Sequence, residues 1–136
     1  MTTDIELEEY AKGIGIKHFK GVYMKDSLPS KIGRKECGIV NLQNQIEPGS
    51  HWVCYVKNGR LKIYFDSYGL DPPVEIKKYL GRTVLVSNFQ IQNFGTSICG
   101  ELCLFILYKL NPGENIWETF QDEVLSLYSS PLFNYK

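Results

Sequence analysis

The sequence predicts an α+β fold in which a small, mainly antiparallel central sheet packs against helices. Three segments carry this prediction: a pair of strand-like patterns over 51–66, an almost wholly apolar stretch over 99–110 and an amphipathic stretch over 114–128. A helix that is apolar on all sides lies inside a core, whereas an amphipathic helix covers one. Since 136 residues with 43% apolar content are enough for one core, we expect a single domain over 1–136.

The other elements follow from capping and turn residues. A short helix is expected from Thr3, because Glu6 three residues later completes a capping box. A second helix is expected to open at Asp71-Pro72-Pro73 and to run to about Leu80 with Gly81 as its stop, since proline favours helix starts and glycine follows helix ends. The remaining expectations are a loop rich in glycine and lysine, a short strand and a long core strand, over 13–35, 38–42 and 83–91 respectively.

The strand pair over 51–66 brings a histidine and an acid together. Asn58-Gly59 separates the two strand patterns, and Asn-Gly is a strong signal for a two-residue hairpin turn. Such a turn places Lys57 opposite Arg60, and the same register places His51 opposite Asp66. Facing side chains share one side of the sheet, so the carboxylate is expected to orient the imidazole and to stabilise its charged form.

The apolar stretch over 99–110 predicts a buried central helix with Cys99 in its first turn. Thr96 and Ser97 precede it as candidate caps. Free N–H groups and the positive end of the helix dipole favour a thiolate there, and a nearby imidazolium favours it further. Gly100 leaves the backbone beside the sulfur uncrowded, so that a substrate carbonyl can approach.

Gln92 ends the apolar run over 83–91 and lies seven positions before Cys99. A side-chain amide at this position can donate to the oxyanion that develops in acyl transfer. Gln90 alternates with Gln92 along the strand pattern, so a shift of two residues would exchange them. Cys54 and Cys103 are expected to be buried structural thiols, as most cysteines are.

These residues, in this order, resemble the cysteine proteases of the adenovirus maturation protease (adenain) type. The clan also contains the ubiquitin-like-protein proteases that cleave SUMO precursors and conjugates. The segments 49–56 and 64–69 resemble the family's Gly-x-His-Trp strand and the following acid-bearing strand, and 19–29 resembles the upstream segment of small viral members. The resemblance covers about residues 19 to 110. The acid is Asp, as in the SUMO-type branch, and the chain is shorter than either branch.

The resemblance implies a thiol endopeptidase with roles for six residues. His51 is expected to be the general base, Asp66 its orienting acid, Cys99 the nucleophile and Gln92 the oxyanion donor. Trp52 and Gly100 are expected to shape the substrate-binding cleft. Glycine-containing cleavage sites in viral capsid or other structural precursors are the implied substrates, with the enzyme inside the host cell, in cytoplasm or nucleus, and packaged in the virion.

Four alternatives stay open at this point. The same triad could release ubiquitin-like modifiers or pass acetyl groups from coenzyme A, and the chain could also be a catalytically silent binding module. A zinc site is the fourth, because Cys99 and Cys103 lie one helical turn apart and could be joined by His51 or His18. They lack the usual paired Cys-x-x-Cys spacing, so no metal and no other bound cofactor is expected.

Charge and composition narrow the class of partners. The net charge is zero, yet residues 12–35 carry seven basic side chains against Asp26 alone. Such a block of basic side chains either faces solvent or binds nucleic acid weakly. The resemblance alone implies DNA and an activating peptide as cofactors. The chain has no apolar stretch long enough for a membrane span and no signal-peptide pattern at its start. The four cysteines then indicate free thiols in a reducing compartment.

Overall fold

The computed structural model describes residues 3–43, 51–91, 98–110 and 115–129. Within these residues the chain forms four α-helices, five β-strands and a short 3-10 turn, Lys25–Ser27. The helices are α1 (Asp4–Gly13), α2 (Val74–Leu80), α3 (Cys99–Leu110) and α4 (Ile116–Ser129). The strands are β1 (Phe19–Met24), β2 (Lys35–Asn41), β3 (Trp52–Asn58), β4 (Leu61–Phe65) and β5 (Leu85–Val86).

The described strands form one sheet in the order β1-β2-β3-β4-β5. Its central pairs, β2 with β3 and β3 with β4, are antiparallel, and the pairs at both edges are parallel. The sheet is therefore mixed, with an antiparallel centre. Helices on both faces complete the α+β architecture, which confirms the predicted fold class.

The two faces of the sheet pack against different helices. One face joins α1, α3 and α4 in the larger core, to which Leu7, Ile106 and Phe120 contribute. The other face, which includes Val53 and Tyr55, packs against α2. Most side chains of α3 are buried, so it is the central helix that its apolar sequence predicts. Cys99 is its first residue.

Helix boundaries agree closely with the expected ones. Thr3 caps α1, and both hydrogen bonds of the capping box with Glu6 are present. α2 begins three residues later than expected, at Val74, because Pro73 occupies the N-cap position. It ends at Leu80, and the C-cap residue Gly81 has a φ of 86°, which glycine adopts without strain.

Two expectations for the strands are wrong. Residues 13–35 were expected to be a loop, yet they contain β1, which pairs in parallel with β2. The run 83–91 was expected to be one long strand, but only Leu85 and Val86 pair with β4. Thr83 has a φ of 61° and is therefore not extended. The residues after Val86 pack against the turn that follows β4.

The hairpin register also differs from the expected one. Asn58 pairs with Leu61 and Cys54 with Phe65, so each strand partner is shifted by two residues. Gly59 and Arg60 are the central turn residues, and only Gly59 has a positive φ, 61°. This is the pattern of a type II′ turn, which needs glycine at its first central position.

Candidate active site

Asp66 lies directly after β4, in a turn that fixes its carboxylate. The Gly69 N–H donates to the Asp66 carbonyl at 2.8 Å, and the Tyr68 N–H donates to Asp66 Oδ1 at 2.8 Å. This second bond makes an Asx turn, in which the side chain is held by its own backbone. The backbone of this turn alone therefore fixes the orientation of the Asp66 carboxylate.

His51 lies directly before β3 and meets this carboxylate. Its Nε2 is 2.7 Å from Asp66 Oδ1. The side chains are 12% and 1% exposed, respectively, so the pair is shielded from water and its electrostatic interaction is strengthened. Since Nε2 is engaged by the acid, Nδ1 is the ring nitrogen left for a second partner. Within the described residues it makes no hydrogen bond of regular geometry.

The predicted contact between His51 and Asp66 is present, although the register behind the prediction is wrong. The observed register, continued past the ends of the strands, places His51 opposite Tyr68. The two rings stack, with their centroids 4.1 Å apart and an interplanar angle of 9°. Sequence reasoning missed Tyr68; a turn centred on Gly59-Arg60 would have identified it.

Cys99 begins α3, and its sulfur lies beside the start of β3. The Trp52 N–H donates to Cys99 Sγ at 3.4 Å. The Leu102 N–H bonds to the Ile98 carbonyl at 3.0 Å, so the thiol is part of the first helical turn. His51 immediately precedes the donor Trp52 and interacts with the thiol. The fold therefore brings together His51, Asp66 and Cys99, which are far apart in the sequence.

The electrostatics of the three groups favour a charged sulfur and a charged imidazole. Burial alone raises the pKa of Cys99, but the interactions with His51 and with the Trp52 N–H outweigh burial and lower the pKa below its ordinary value. Burial lowers the pKa of His51, yet the hydrogen bond to Asp66 and the interaction with Cys99 raise that pKa to about 9. Each charge thus stabilises the other.

Trp52 and Gly100 lie in the interior around this site. A Cβ atom on Gly100 would be 3.1 Å from Leu7 Cδ2 and 3.4 Å from Trp52 Cδ1. Gly100 therefore allows the first turn of α3 to approach both α1 and β3. Trp52 is buried in the larger core. Their expected part in substrate binding stays a prediction, while their packing holds Cys99 against the start of β3.

Gln92, the expected oxyanion donor, lies outside the described residues, as do the candidate caps Thr96 and Ser97. The chain leading to Gln92 is described up to Ile91, whose N–H donates to the Ser67 carbonyl at 2.8 Å. This bond ties the segment before Gln92 to the residue that follows Asp66. The role of Gln92 stays a prediction.

The zinc alternative finds no support in the described parts of the chain. They contain no group of three or more His, Cys, Asp or Glu side chains that could hold a metal ion. Cys54 and Cys103 are buried free thiols, as expected. None of the helices in the described ranges combines the length and the apolar character needed to cross a bilayer.

Comparison with known proteins gives a likeness of fold. No protein-family model matches the chain, and no curated protein matches it in sequence. A crystal structure of the ASFV pS273R protease superposes with a TM-score of 0.60 and 15% sequence identity, covering 100% of this chain and 67% of that chain. A second, selenomethionine crystal structure of the ASFV protease gives 0.46 and 18%, covering 76% of this chain and 45% of that chain. The first superposition shows that the two proteins share a fold.

Proposed function

We propose that this chain is a cysteine endopeptidase in which Cys99 attacks the scissile carbonyl. The observation that carries the proposal is the placement of one imidazole between a buried carboxylate and a thiol at a helix N-terminus. The likeness of fold to the ASFV protease supports it. An acid that orients the base, a base beside the nucleophile and a nucleophile of lowered pKa are the features that nucleophilic catalysis requires.

The hydrogen bond to Asp66 decides which ring nitrogen of His51 takes part in the reaction. Asp66 binds Nε2 of His51, so Nδ1 exchanges the proton with Cys99. The thiolate adds to the peptide carbonyl, and the protonated imidazole then gives its proton to the leaving amine. Water, activated by the neutral imidazole, hydrolyses the thioester and releases Cys99. Gln92 is the side-chain donor proposed for the oxyanion, beside the N–H of Cys99.

The proposed substrates are viral structural precursors with glycine before the scissile bond. This part of the proposal rests on the adenain-type motif and on the fold shared with the ASFV protease. Weak binding of DNA by the basic segment 12–35 and activation by a peptide remain proposals of the same kind. Lys12 and Lys25 in this segment already pair with Glu8 and Glu75, which reduces its excess of positive charge.

The direct test is digestion of candidate capsid precursors with the wild type and with Cys99→Ala, followed by mapping of new termini by mass spectrometry. We expect new termini after glycine with the wild type only. Fluorogenic ubiquitin-like modifiers and acetyl-coenzyme A with acceptor peptides are run in parallel. Cleavage of the modifiers alone, or acetyl transfer without cleavage, would replace the endopeptidase by one of those activities. A wild type that is inert in every assay contradicts the proposal.

A further inference from the structure

A row of three thiols extends from the active site into the core. β3 and α3 pack side by side. They run in the same direction, because Trp52 lies next to Cys99 at their start and Val56 and Leu107 line one cavity further along. Two residues along a strand advance by about 6.6 Å, and four along a helix by about 6 Å. Cys54 therefore lies beside Cys103 just as Trp52 lies beside Cys99. This placement agrees with the membership of the larger core, which contains Trp52, Cys54, Cys99 and Cys103.

The two inner thiols interact directly. Cys54 is 1% and Cys103 0% exposed, and both are reduced. Burial raises the pKa of Cys103, and its interactions with Cys54 and Cys99 raise it further. Cys103 therefore lies next to Cys54 and one helical turn from Cys99. The proposed peptidase reaction uses neither Cys54 nor Cys103.

We propose that Cys99, Cys103 and Cys54 form a thiol relay that converts peroxide oxidation of Cys99 into a buried Cys54–Cys103 disulfide. The relay rests on the proposed function only in requiring a reactive Cys99 thiolate. Its effect is to return the oxidised nucleophile to its working state. Without the relay, the sulfenic acid would be open to further, irreversible oxidation.

Each step balances in atoms and electrons. The Cys99 thiolate attacks hydrogen peroxide, and with one proton gives the sulfenic acid and water. The Cys103 thiol then displaces this oxygen, which forms a Cys99–Cys103 disulfide and releases a second water. Finally the Cys54 thiol attacks the Cys103 sulfur, which leaves a Cys54–Cys103 disulfide and a free Cys99 thiol. One peroxide is reduced, and two thiols are oxidised.

The direction of the last step follows from the leaving group. In thiol–disulfide exchange the thiol of lower pKa leaves faster. Of the two sulfurs in the Cys99–Cys103 disulfide, Cys99 has the lowered pKa, because His51 and the Trp52 N–H stabilise its thiolate, whereas burial raises the pKa of Cys103. Exchange therefore expels Cys99 and retains the disulfide between the inner pair.

Geometry sets one requirement for the first disulfide. Side chains one helical turn apart have Cβ atoms about 5–6 Å apart, whereas a disulfide needs about 3.5–4.5 Å. The first turn of α3 must therefore open by about 1–2 Å. Because Cys99 is the first residue of the helix, this opening involves a terminal turn, where helices fray most readily.

Peptide mapping after a short exposure to about one equivalent of hydrogen peroxide tests the relay. The fourth cysteine, Cys37, complicates the mapping because it interacts with Cys54 and lies on the same tryptic peptide. All variants are therefore made in a Cys37→Ser background. Free thiols are blocked with N-ethylmaleimide, and trypsin is combined with an endoproteinase that cuts after glutamate. Glu101 then separates Cys99 from Cys103, so every possible disulfide has its own mass.

In this background we expect the Cys54–Cys103 disulfide together with Cys99 recovered as the N-ethylmaleimide adduct of its free thiol. Cys54→Ser should accumulate the Cys99–Cys103 disulfide, and Cys103→Ala should leave Cys99 as sulfenic acid, which a second molecule of peroxide converts to sulfinic acid. Adding Cys99→Ala should leave the inner thiols reduced over the same time. A Cys54–Cys103 disulfide that forms equally fast without Cys99, or a background that gives only sulfinic acid at Cys99, overturns the relay.

The mapping does not depend on peptide cleavage, so it separates the two proposals. An active peptidase without the disulfide would contradict the relay alone. The expected disulfide in a chain that cleaves nothing would contradict the peptidase alone. The Cys37→Ser protein and the same protein with Cys99→Ala decide the main point together, because only this pair separates oxidation through Cys99 from direct oxidation of the inner thiols.

Discussion

His51 is held from two directions by residues of one short turn. Asp66 accepts from its ring edge, and Tyr68 stacks on its face. The Tyr68 N–H in turn fixes the acid. A charged imidazole is stabilised both by the carboxylate and by an aromatic face. The turn that follows β4 thus sets the position and the charge of the base together.

Replacing Tyr68 by alanine should weaken catalysis without removing it. A stacked aromatic pair contributes about 0.5–1.5 kcal/mol, which corresponds to a loss of roughly two- to tenfold in kcat/KM. Tyr68→Phe keeps the ring and should retain most of the activity. Steady-state kinetics on one peptide substrate measure both variants. Equal losses in the two would show that the hydroxyl group, and not the stacking, matters.

The contact between His51 and Asp66 could be predicted from the sequence despite an incorrect turn. Side chains alternate between faces with a period of two, so a register error of two residues keeps both groups on the same face. The two side chains are then diagonal neighbours instead of directly opposite ones, and long side chains still span the diagonal distance. Tyr68 could not be predicted in the same way, because its stacking depends on the exact register.

At the scale of elements, Gly69 joins the turn after β4 to the segment that leads toward Gln92. A Cβ atom on Gly69 would lie 2.9 Å from backbone atoms of Asn88 and Phe89. Its φ of 75° is also one that other residues rarely adopt. The same close approach explains why 83–91 is not one strand: beyond Val86 its backbone packs against this turn and bonds to Ser67.

Gly69→Ala should therefore destabilise the fold more than the same change at the hairpin. Gly59 has a similar φ of 61°, but nothing lies within 4 Å of a Cβ built there. Gly59→Ala thus costs only the backbone strain, about 1–2 kcal/mol, and Gly69→Ala adds the clash. Urea unfolding of both variants measures the difference. Equal free energies of unfolding would mean that the segment moves away freely.

The missed strand β1 has a local cause. A register shift between Phe19 and Gly21 interrupts its pairing with β2, and Lys20 with Gly21 breaks the apolar alternation. Sequence periodicity detects regular strands and fails where a bulge changes the phase. α3 was predictable for the opposite reason, because its burial leaves an almost unbroken apolar sequence.

At the scale of the whole molecule, a second polar cluster lies at the other end of β2 and β3. Glu36 is 4% exposed and accepts from the hydroxyls of Tyr55 and Tyr79, each at 2.6 Å, and from the Gly33 N–H at 2.5 Å. It ties α2 to the sheet. Glu36 pairs with Lys57, about six residues or 20 Å along β3 from His51.

This separation predicts a change in stability without a change in catalysis. Tyr79→Phe removes one hydrogen bond to a buried carboxylate and should lower the free energy of unfolding by roughly 1–3 kcal/mol. The value of kcat/KM for the folded variant should stay at the wild-type level. Tyr10→Phe, on an exposed tyrosine, serves as the control. A loss of activity in Tyr79→Phe would show that the two ends of the sheet are coupled.

The central claim is that His51 charges the Cys99 thiol, and the pH dependence of Cys99 alkylation tests it most directly. Rates of iodoacetamide modification, followed by peptide mass, give the pKa of Cys99 in the wild type and in His51→Ala. We expect the wild-type midpoint to lie below the ordinary thiol pKa of about 8.5, and the His51→Ala midpoint to move up toward that value. Coincident midpoints in the two proteins would contradict the account.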